Sequence, residues 1–376
     1  MKTVVDKVVK NYMVNEKLGP KGKKMVKGQH DDELIRLLEA SKAKIRVVGV
    51  GGGGCNTVDR MSEIGIHGAE TLVVNTDAQD LISVTADNKV LIGRELTRGL
   101  GSGSNPAVGE AAAQESIEEL QELLEDSDLV FITCGLGGGT GTGASPIIAE
   151  IAKETKALTI AVVTLPFTVE GKKRMQNALD GLAKLKKAAD TIIVIPNDKI
   201  LEIAPDLPVA AAFKVADEVL TNAVKGITEM VTKPGLINLD FADLRTILDR
   251  GGAAMIGLGE SRQEKVTDSR ALEAVENALT SPLLDVEISD ANRALINVVG
   301  GTDMTLREAE MIVEAVAGKI NSNAHLIWGA MIDEELPRNQ IQAMVVIAGG
   351  KFPYLGDLKE LMDENGLLDL GIEFAD

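Results

Sequence analysis

Nine consecutive residues, Gly135-Leu-Gly-Gly138-Gly139-Thr140-Gly141-Thr142-Gly143, hold six glycines and two threonines. They follow an apolar run at 128–134 and precede a helical pattern that starts near Ala144. Glycine loses more backbone freedom on folding than any other residue, so a run this dense is costly to order. A tight strand-to-helix turn needs one or two. Six point to a backbone that must approach something closely, and successive N–H groups at a helix start form a nest for an anion. Thr140 and Thr142 add hydroxyl donors, and Gly137 belongs to the same run.

A second run lies upstream. Gly49-Val-Gly51-Gly52-Gly53-Gly54 fits G-x-G-x-x-G between a strand pattern at 45–50 and a helix through Met61 and Ile64, with Asp77 at the end of the next strand. Alone this is the dinucleotide fingerprint with its ribose-binding acid, and a pattern that glycine runs also match by chance. An NAD-dependent oxidoreductase needs one such pyrophosphate loop, and leaves the run at 135–143 unexplained. Two loops at the carboxyl ends of one parallel sheet suit a longer phosphate chain. No G-x-x-x-x-G-K-[ST] occurs, because Gly22-Lys23, Gly318-Lys319 and Gly350-Lys351 are followed by Lys, Ile and Phe. That excludes P-loop NTPases; G-x-S-x-G, H-E-x-x-H and the kinase motifs are missing too.

Strand and helix patterns alternate from Lys44: strands at 45–50, 71–75, 128–134, 158–164 and 191–196, with an Ala- and Glu-rich helix at 106–125. Apolar strands separated by helices imply a parallel sheet covered on both faces. A long helix at 209–231 ends at Pro234-Gly235. Beyond it come helices near 240–249, 271–279 and 306–320 and strands at 253–259, 295–299, 324–331 and 340–348. The expected architecture is α/β: a Rossmann-like parallel-sheet domain at 44–208, a central helix at 209–234 and a smaller α+β domain at 235–350. An extension at 1–43 and an acidic tail at 351–376 flank them.

Charge and composition narrow the function. With 39 basic and 57 acidic residues the net charge is −18, which repels nucleic-acid phosphates, and 2% aromatics leave few stacking platforms. No nucleic-acid partner is expected. Two cysteines and three scattered histidines argue against a disulfide scaffold and a Cys/His zinc site, and favour a reducing, cytoplasmic setting. No apolar stretch is long enough to span a membrane. The extension at 1–43 carries nine lysines, eight of them between Lys2 and Lys27, and a short apolar stripe through Val4, Val5, Val8, Val9 and Tyr12. Packing on its own domain or a neighbouring subunit accounts for it more readily than membrane-surface docking.

The stretch Gly135 to Ser145, GLGGGTGTGAS, resembles the tubulin/FtsZ signature. So, in order, do the residues from Gly51 to Thr57, Asn75-Thr-Asp77-Ala-Gln79, Leu165-Pro-Phe with Glu170-Gly and Arg174, Ile195-Pro-Asn197-Asp, and Gly235-Leu-Ile-Asn238-Leu-Asp240-Phe-Ala-Asp243-Leu-Arg245. The likeness covers roughly 44–350, and the basic extension and the ending resemble the archaeal branch. It implies a tubulin-like GTPase that polymerises head-to-tail into the cytoplasmic division ring, with GTP/GDP and phosphate-bound Mg²⁺ as ligands.

By position, the resemblance implies phosphate contacts from Gly51, Gly52, Gly53, Gly54 and Asn56, and from Gly137, Gly138, Gly139, Thr140, Gly141, Thr142 and Gly143. Asn75 and Asp77 would approach the ribose and γ-phosphate, and Glu170 and Arg174 the ribose and phosphate side. Asn197, Phe213 and Asp217 would hold guanine, since a carboxylate accepts from guanine N1–H and N2–H₂ together and adenine offers no such pair. Asn238, Asp240 and Asp243 would act on the nucleotide of the next subunit. Plainer roles stand beside these: Phe213 as core, Asn197 as a helix cap, and Asp240 with Asp243 as N-cap and N3 acid. A SepF-type membrane anchor, docking at 355–362, is the partner implied besides the chain itself. A nucleotide-binding module that neither polymerises nor turns over is the remaining alternative.

Overall fold

The computed structural model describes residues 43–203, 208–261, 269–284 and 288–349. The lysine-rich arm and the 355–362 segment lie outside them.

The chain builds a sheet from its apolar runs. β1 (Ile45–Val50) is buried but for Arg46 and passes without a linker into α1 (Gly51–Ile64). β2 (Ala69–Asn75), α2 (Ala78–Ser83), β3 (Asn88–Leu91) and α3 (Arg94–Thr97) follow, then α4 (Pro106–Glu115) and α5 (Ile117–Leu124). β4 (Leu129–Gly135) leads into α6 (Thr140–Glu154). β5 (Leu158–Leu165), α7 (Lys172–Ala188) and β6 (Thr191–Pro196) complete the alternation, before α8 (Asn197–Ile203) and the long α9 (Val209–Thr232). The second half comprises α10 (Phe241–Leu248), β7 (Gly252–Glu260), α11 (Ser269–Leu279), β8 (Arg293–Gly300), α12 (Leu306–Ala317), β9 (His325–Ile332) and β10 (Ile341–Ala348).

One ten-stranded sheet results, in the order β3-β2-β1-β4-β5-β6-β7-β10-β8-β9. It is parallel from β3 to β7; β10 then runs antiparallel to both β7 and β8, and β9 parallel to β8. The sheet therefore crosses the expected division between the two halves, joined where Thr191, Ile192 and Ile193 pair with Gly252, Ala253 and Ala254.

Side chains alternate across the sheet as a period of two requires. Val48, Val130 and Ile132 pack on one face; Val47, Leu129 and Phe131 pack on the other, against the stripe of α9. That stripe, Val219, Leu220, Ala223, Val224, Ile227 and Met230, touches a core that also contains Ile193 from the first half and Leu295 and Val346 from the second. At roughly 1.5–3 kcal/mol per fully buried large side chain, it outweighs the ~1 kcal/mol helix cost of Gly226. Gly226 is there for closeness: a β-carbon would lie 2.9 Å from Met344 Sδ.

One expectation is refined. The helix expected at 106–125 is two helices, because Ser116 leaves the helical path at φ −105° and ψ 22° and its hydroxyl accepts from Gly93 N at 3.2 Å. The short elements β3, α2, α3 and α8 carry too little periodicity to show in the sequence. No helix among the described residues is long and apolar enough to cross a membrane.

Candidate functional site

Both glycine runs sit at the carboxyl ends of parallel strands, the position at which open α/β sheets bind ligands. α1 starts at Gly51, directly after β1, and α6 starts at Thr140, after a four-residue loop that follows β4. Neither start has a side-chain cap; the flanking residues are Val50 and Gly139. The two starts touch: a β-carbon on Gly51 would lie 2.7 Å from Gly141 N, and one on Gly53 would lie 3.2 Å from Gly135 N. Two helix N-termini with their positive dipole ends side by side favour a polyanion.

The six glycines at 135–143 do two different jobs. Gly139 and Gly143 let α6 lie against the loop before α4 and against α4 itself, where a β-carbon would collide with Ser102 and with the Pro106 carbonyl. Gly141 packs against Gly135 O, and Gly137 takes φ +103° beneath Arg174. Gly138 alone of the run has ordinary φ and nothing within 4 Å of a β-carbon position. The tight-turn reading therefore explains most of the run, and Gly138 marks the open cradle. The threonine hydroxyls are engaged within the loops: Thr142 Oγ1 accepts from Gly137 N at 2.8 Å, and Thr140 Oγ1 lies 2.7 Å from Thr76 Oγ1 and 3.0 Å from Ser102 Oγ.

Ser102 belongs to a third small-residue loop, Gly99-Leu-Gly-Ser-Gly-Ser-Asn105, which sequence reasoning passed over. It is tied down by Gly101 N donating to Thr76 O at 3.0 Å. Its glycine and serine content was the available signal.

Asn75 and Asp77 close β2 beside the first loop. Asp77 accepts from Gln79 N at 2.9 Å and Asp80 N at 3.3 Å, so here its carboxylate caps α2. Asn75 Nδ2 donates to Asp80 Oδ2 at 3.3 Å, and that oxygen lies 3.5 Å from a β-carbon position on Gly52. Asp80, not singled out from the sequence, is thus the carboxylate beside the first run. Asn56 is exposed on α1; its neighbour Thr57 turns inward instead.

At the other end of the site stand Asn197, Phe213 and Asp217. Asn197 is 5% exposed and its Oδ1 has no hydrogen-bond partner. It is the first residue of α8 and accepts no capping bond, so the cap reading fails. Phe213 is 40% exposed and meets Phe167 edge-on, with centroids 5.1 Å apart, so it is not core. Burial pushes the Asp217 carboxyl up to about 6, and the Thr57 hydroxyl, 3.4 Å away, pulls the other way. Glu170 pairs with Arg174 at 3.0 Å and accepts from Phe167 N at 2.7 Å.

Asn238, Asp240 and Asp243 are not brought to these loops within one chain. α9 spans 24 residues, roughly 36 Å, and leads away from Asp217. α10 then feeds β7, whose start pairs with the start of β6, at the amino-terminal edge of the parallel strands. The loop is held to β9, where Leu236 N and Ile237 N donate to Ala330 O. Asn238 Oδ1 accepts from Gly235 N. Asp240 and Asp243 form a reciprocal capping box: Asp243 N donates to Asp240 Oδ1 at 2.8 Å and Asp240 N to Asp243 Oδ2 at 3.2 Å.

Paired glycine-loop helix starts on a parallel sheet, backed by a long helix leading into a second α+β half, are the architecture of a tubulin-like GTPase. The profile of the tubulin/FtsZ family GTPase domain matches residues 44–205, and that of the FtsZ family C-terminal domain matches 252–351. The cell division protein FtsZ 1 of Thermococcus kodakarensis is 60% identical over 324 residues, covering 86% of this chain and 85% of its own. FtsZ 1 of Pyrococcus abyssi is 55% identical over 355 residues, 94% of each chain. The solved empty FtsZ dimer of M. jannaschii superimposes with a TM-score of 0.81 at 56% identity, covering 86% of this chain and 93% of that one. The chain belongs to the tubulin/FtsZ family, on its FtsZ side. The oxidoreductase reading falls with that membership.

Proposed function

We propose that this chain binds GTP across its two glycine loops, hydrolyses it to GDP and phosphate, and assembles head-to-tail into filaments of the cell-division ring. Guanine would be held by the Asp217 carboxylate, the unpartnered Asn197 Oδ1 and the exposed Phe213 ring, and the phosphates by the cradle at Gly138 and the starts of α1 and α6. Glu170 and Arg174 would contact the ribose and phosphate side.

The observation that carries the polymer is the separation of the two halves of the site. Phosphoryl transfer needs charge neutralisation and an oriented water more than covalent chemistry. Asn238, Asp240 and Asp243 stand beyond the far end of α9, at the start of the helix that feeds the amino-terminal end of β7, and the loops lie at the carboxyl ends of β1 and β4. A head-to-tail contact brings one to the other and propagates as an open filament. Mg²⁺ would supply charge neutralisation on the phosphates. Among the described residues no group of three or more His, Cys, Asp or Glu side chains is placed to hold an ion. Division of labour between 44–208 and 235–350, with 209–234 as spacer, belongs to this reading, as do placement at the division site in the cytoplasm and a SepF-type anchor at 355–362.

Sedimentation with GTP and Mg²⁺, compared with GDP and with ATP, tests the reading. GTP-dependent pelleting with phosphate release supports it. Tight binding with neither would leave a nucleotide-binding module.

A further inference from the structure

Asp198, beside Asn197 on α8, spends its carboxylate on one residue. It accepts from Thr168 N at 3.1 Å through Oδ1 and 3.2 Å through Oδ2, and from Thr168 Oγ1 at 2.6 Å through Oδ2. Thr168 opens the short 3₁₀ turn Thr168–Glu170. Phe167, on one side of it, donates its N–H to Glu170 and meets Phe213 edge-on; Glu170, at its end, pairs with Arg174. Arg174 in turn covers Gly137 of the second glycine loop. One carboxylate therefore fixes the turn that links the base end of the site to its phosphate end. Its neighbour Asn197 keeps a buried acceptor free.

We infer that Asp198 is a positioning residue: it locks the turn at 168–170 to the start of α8, so that Asn197 and Phe213 stand at a fixed spacing from the Glu170–Arg174 pair, matched to one nucleoside. The inference rests on the guanine-nucleotide reading above. A charge-assisted bond to a backbone N–H and a hydroxyl is strong enough to hold a three-residue turn that would otherwise sample several conformations. Binding then avoids the ordering cost of that turn, the usual gain from preorganisation.

The test is calorimetric titration of GDP into the nucleotide-stripped full chain, with melting of the stripped protein measured alongside. Asp198→Ala should weaken GDP by about tenfold. Thr168→Val should lose part of that, and Thr168→Ser should restore affinity to within about twofold, since only the hydroxyl is at stake. Coupling distinguishes positioning from a structural tie. Phe213→Leu and Glu170→Gln should be non-additive by more than about threefold with Asp198 present, and additive in Asp198→Ala. GDP affinity within twofold of wild type in Asp198→Ala, or a cycle equally non-additive without Asp198, would overturn the inference. So would a melting temperature that falls while that coupling persists. A wild type that binds no GDP would instead overturn the guanine-nucleotide reading itself.

Discussion

Gly51 and Gly141, 90 residues apart, are packed so closely that a β-carbon on Gly51 would lie 2.7 Å from the Gly141 backbone nitrogen. Gly51 also has φ +68°, a left-handed conformation costly for any other residue. The contact holds two helix starts together, and it separates the glycines into those the fold needs and those a ligand needs.

Gly138→Val is therefore the informative substitution. Nothing lies within 4 Å of its β-carbon position, and its φ is ordinary, so the empty protein should melt within a few degrees of wild type. Nucleotide affinity should fall by at least about a hundredfold, because the side chain fills the cradle. Gly51→Val and Gly141→Val should instead lose roughly 2 kcal/mol or more of stability, through backbone clashes at both and left-handed strain at Gly51. Affinity retained in Gly138→Val would return the whole run to a packing role.

Asp217 makes the empty site pH-sensitive. Its carboxyl is raised to about 6 in the folded chain, from 3.8. Between those values the unfolded chain sheds its proton first, so the native state binds more protons and stability falls as pH rises through the window. Asp217→Asn should abolish that fall and stabilise the nucleotide-free protein near neutral pH by roughly 1 kcal/mol, a discounted figure because solvent reaches the group. Guanine recognition runs the opposite way. It needs the ionised carboxylate, so GDP affinity should rise with pH through about 6 in wild type and stay flat in Asp217→Asn. Melting and titration at about pH 5, 6 and 7 check both; GDP affinity independent of pH would remove Asp217 from the base site.

Phe213 carries a cleaner signal. It is 40% exposed and touches Phe167 edge-on, a pair worth roughly 0.5–1.5 kcal/mol. Phe213→Ala should cost about that in stability, yet weaken GTP more than tenfold by removing the surface on which a base stacks. Equal binding by Phe213→Ala would reduce the ring to a surface hydrophobe.

These cases show what was legible beforehand and why. The strand-loop-helix order and both glycine runs stood in the sequence, because period-two burial and dense glycine are local signals. That Gly139 and Gly143 serve helix packing was not visible, since their neighbours Ser102 and Pro106 lie some 40 residues away in the chain. Asp77 matched a ribose acid and also caps α2, and Asp80 stands beside the first glycine loop; a carboxylate at a helix start satisfies both patterns. The continuous sheet was hidden because only three residue pairs join β6 to β7. Both readings of Asp240 and Asp243 were open, and the capping box is now explicit.

That capping box makes Asp240→Ala an ambiguous test of a shared active site, since losing an N-cap costs about 1 kcal/mol by itself. Asp240→Asn resolves it. Asparagine caps as well as aspartate, so the bond from Asp243 N survives and melting should be unchanged. If Asp240 orients or activates water on a neighbour's nucleotide, Asp240→Asn should still bind GTP and still assemble, and lose ~10²-fold or more in turnover. Wild-type hydrolysis should then appear only above a threshold protein concentration and rise with pelleting, because α9 separates Asp240 from the glycine loops of its own chain. The decisive arm mixes Asp240→Asn subunits with Gly138→Val subunits. The first hold nucleotide without the aspartate, the second hold the aspartate without nucleotide, and neither turns over alone. Turnover recovered in the mixture requires the loop of one chain to reach the nucleotide of another. Turnover per molecule that stays constant in wild type down to the lowest measurable concentration would place hydrolysis within one subunit, and leave Asp240 and Asp243 as the cap of α10.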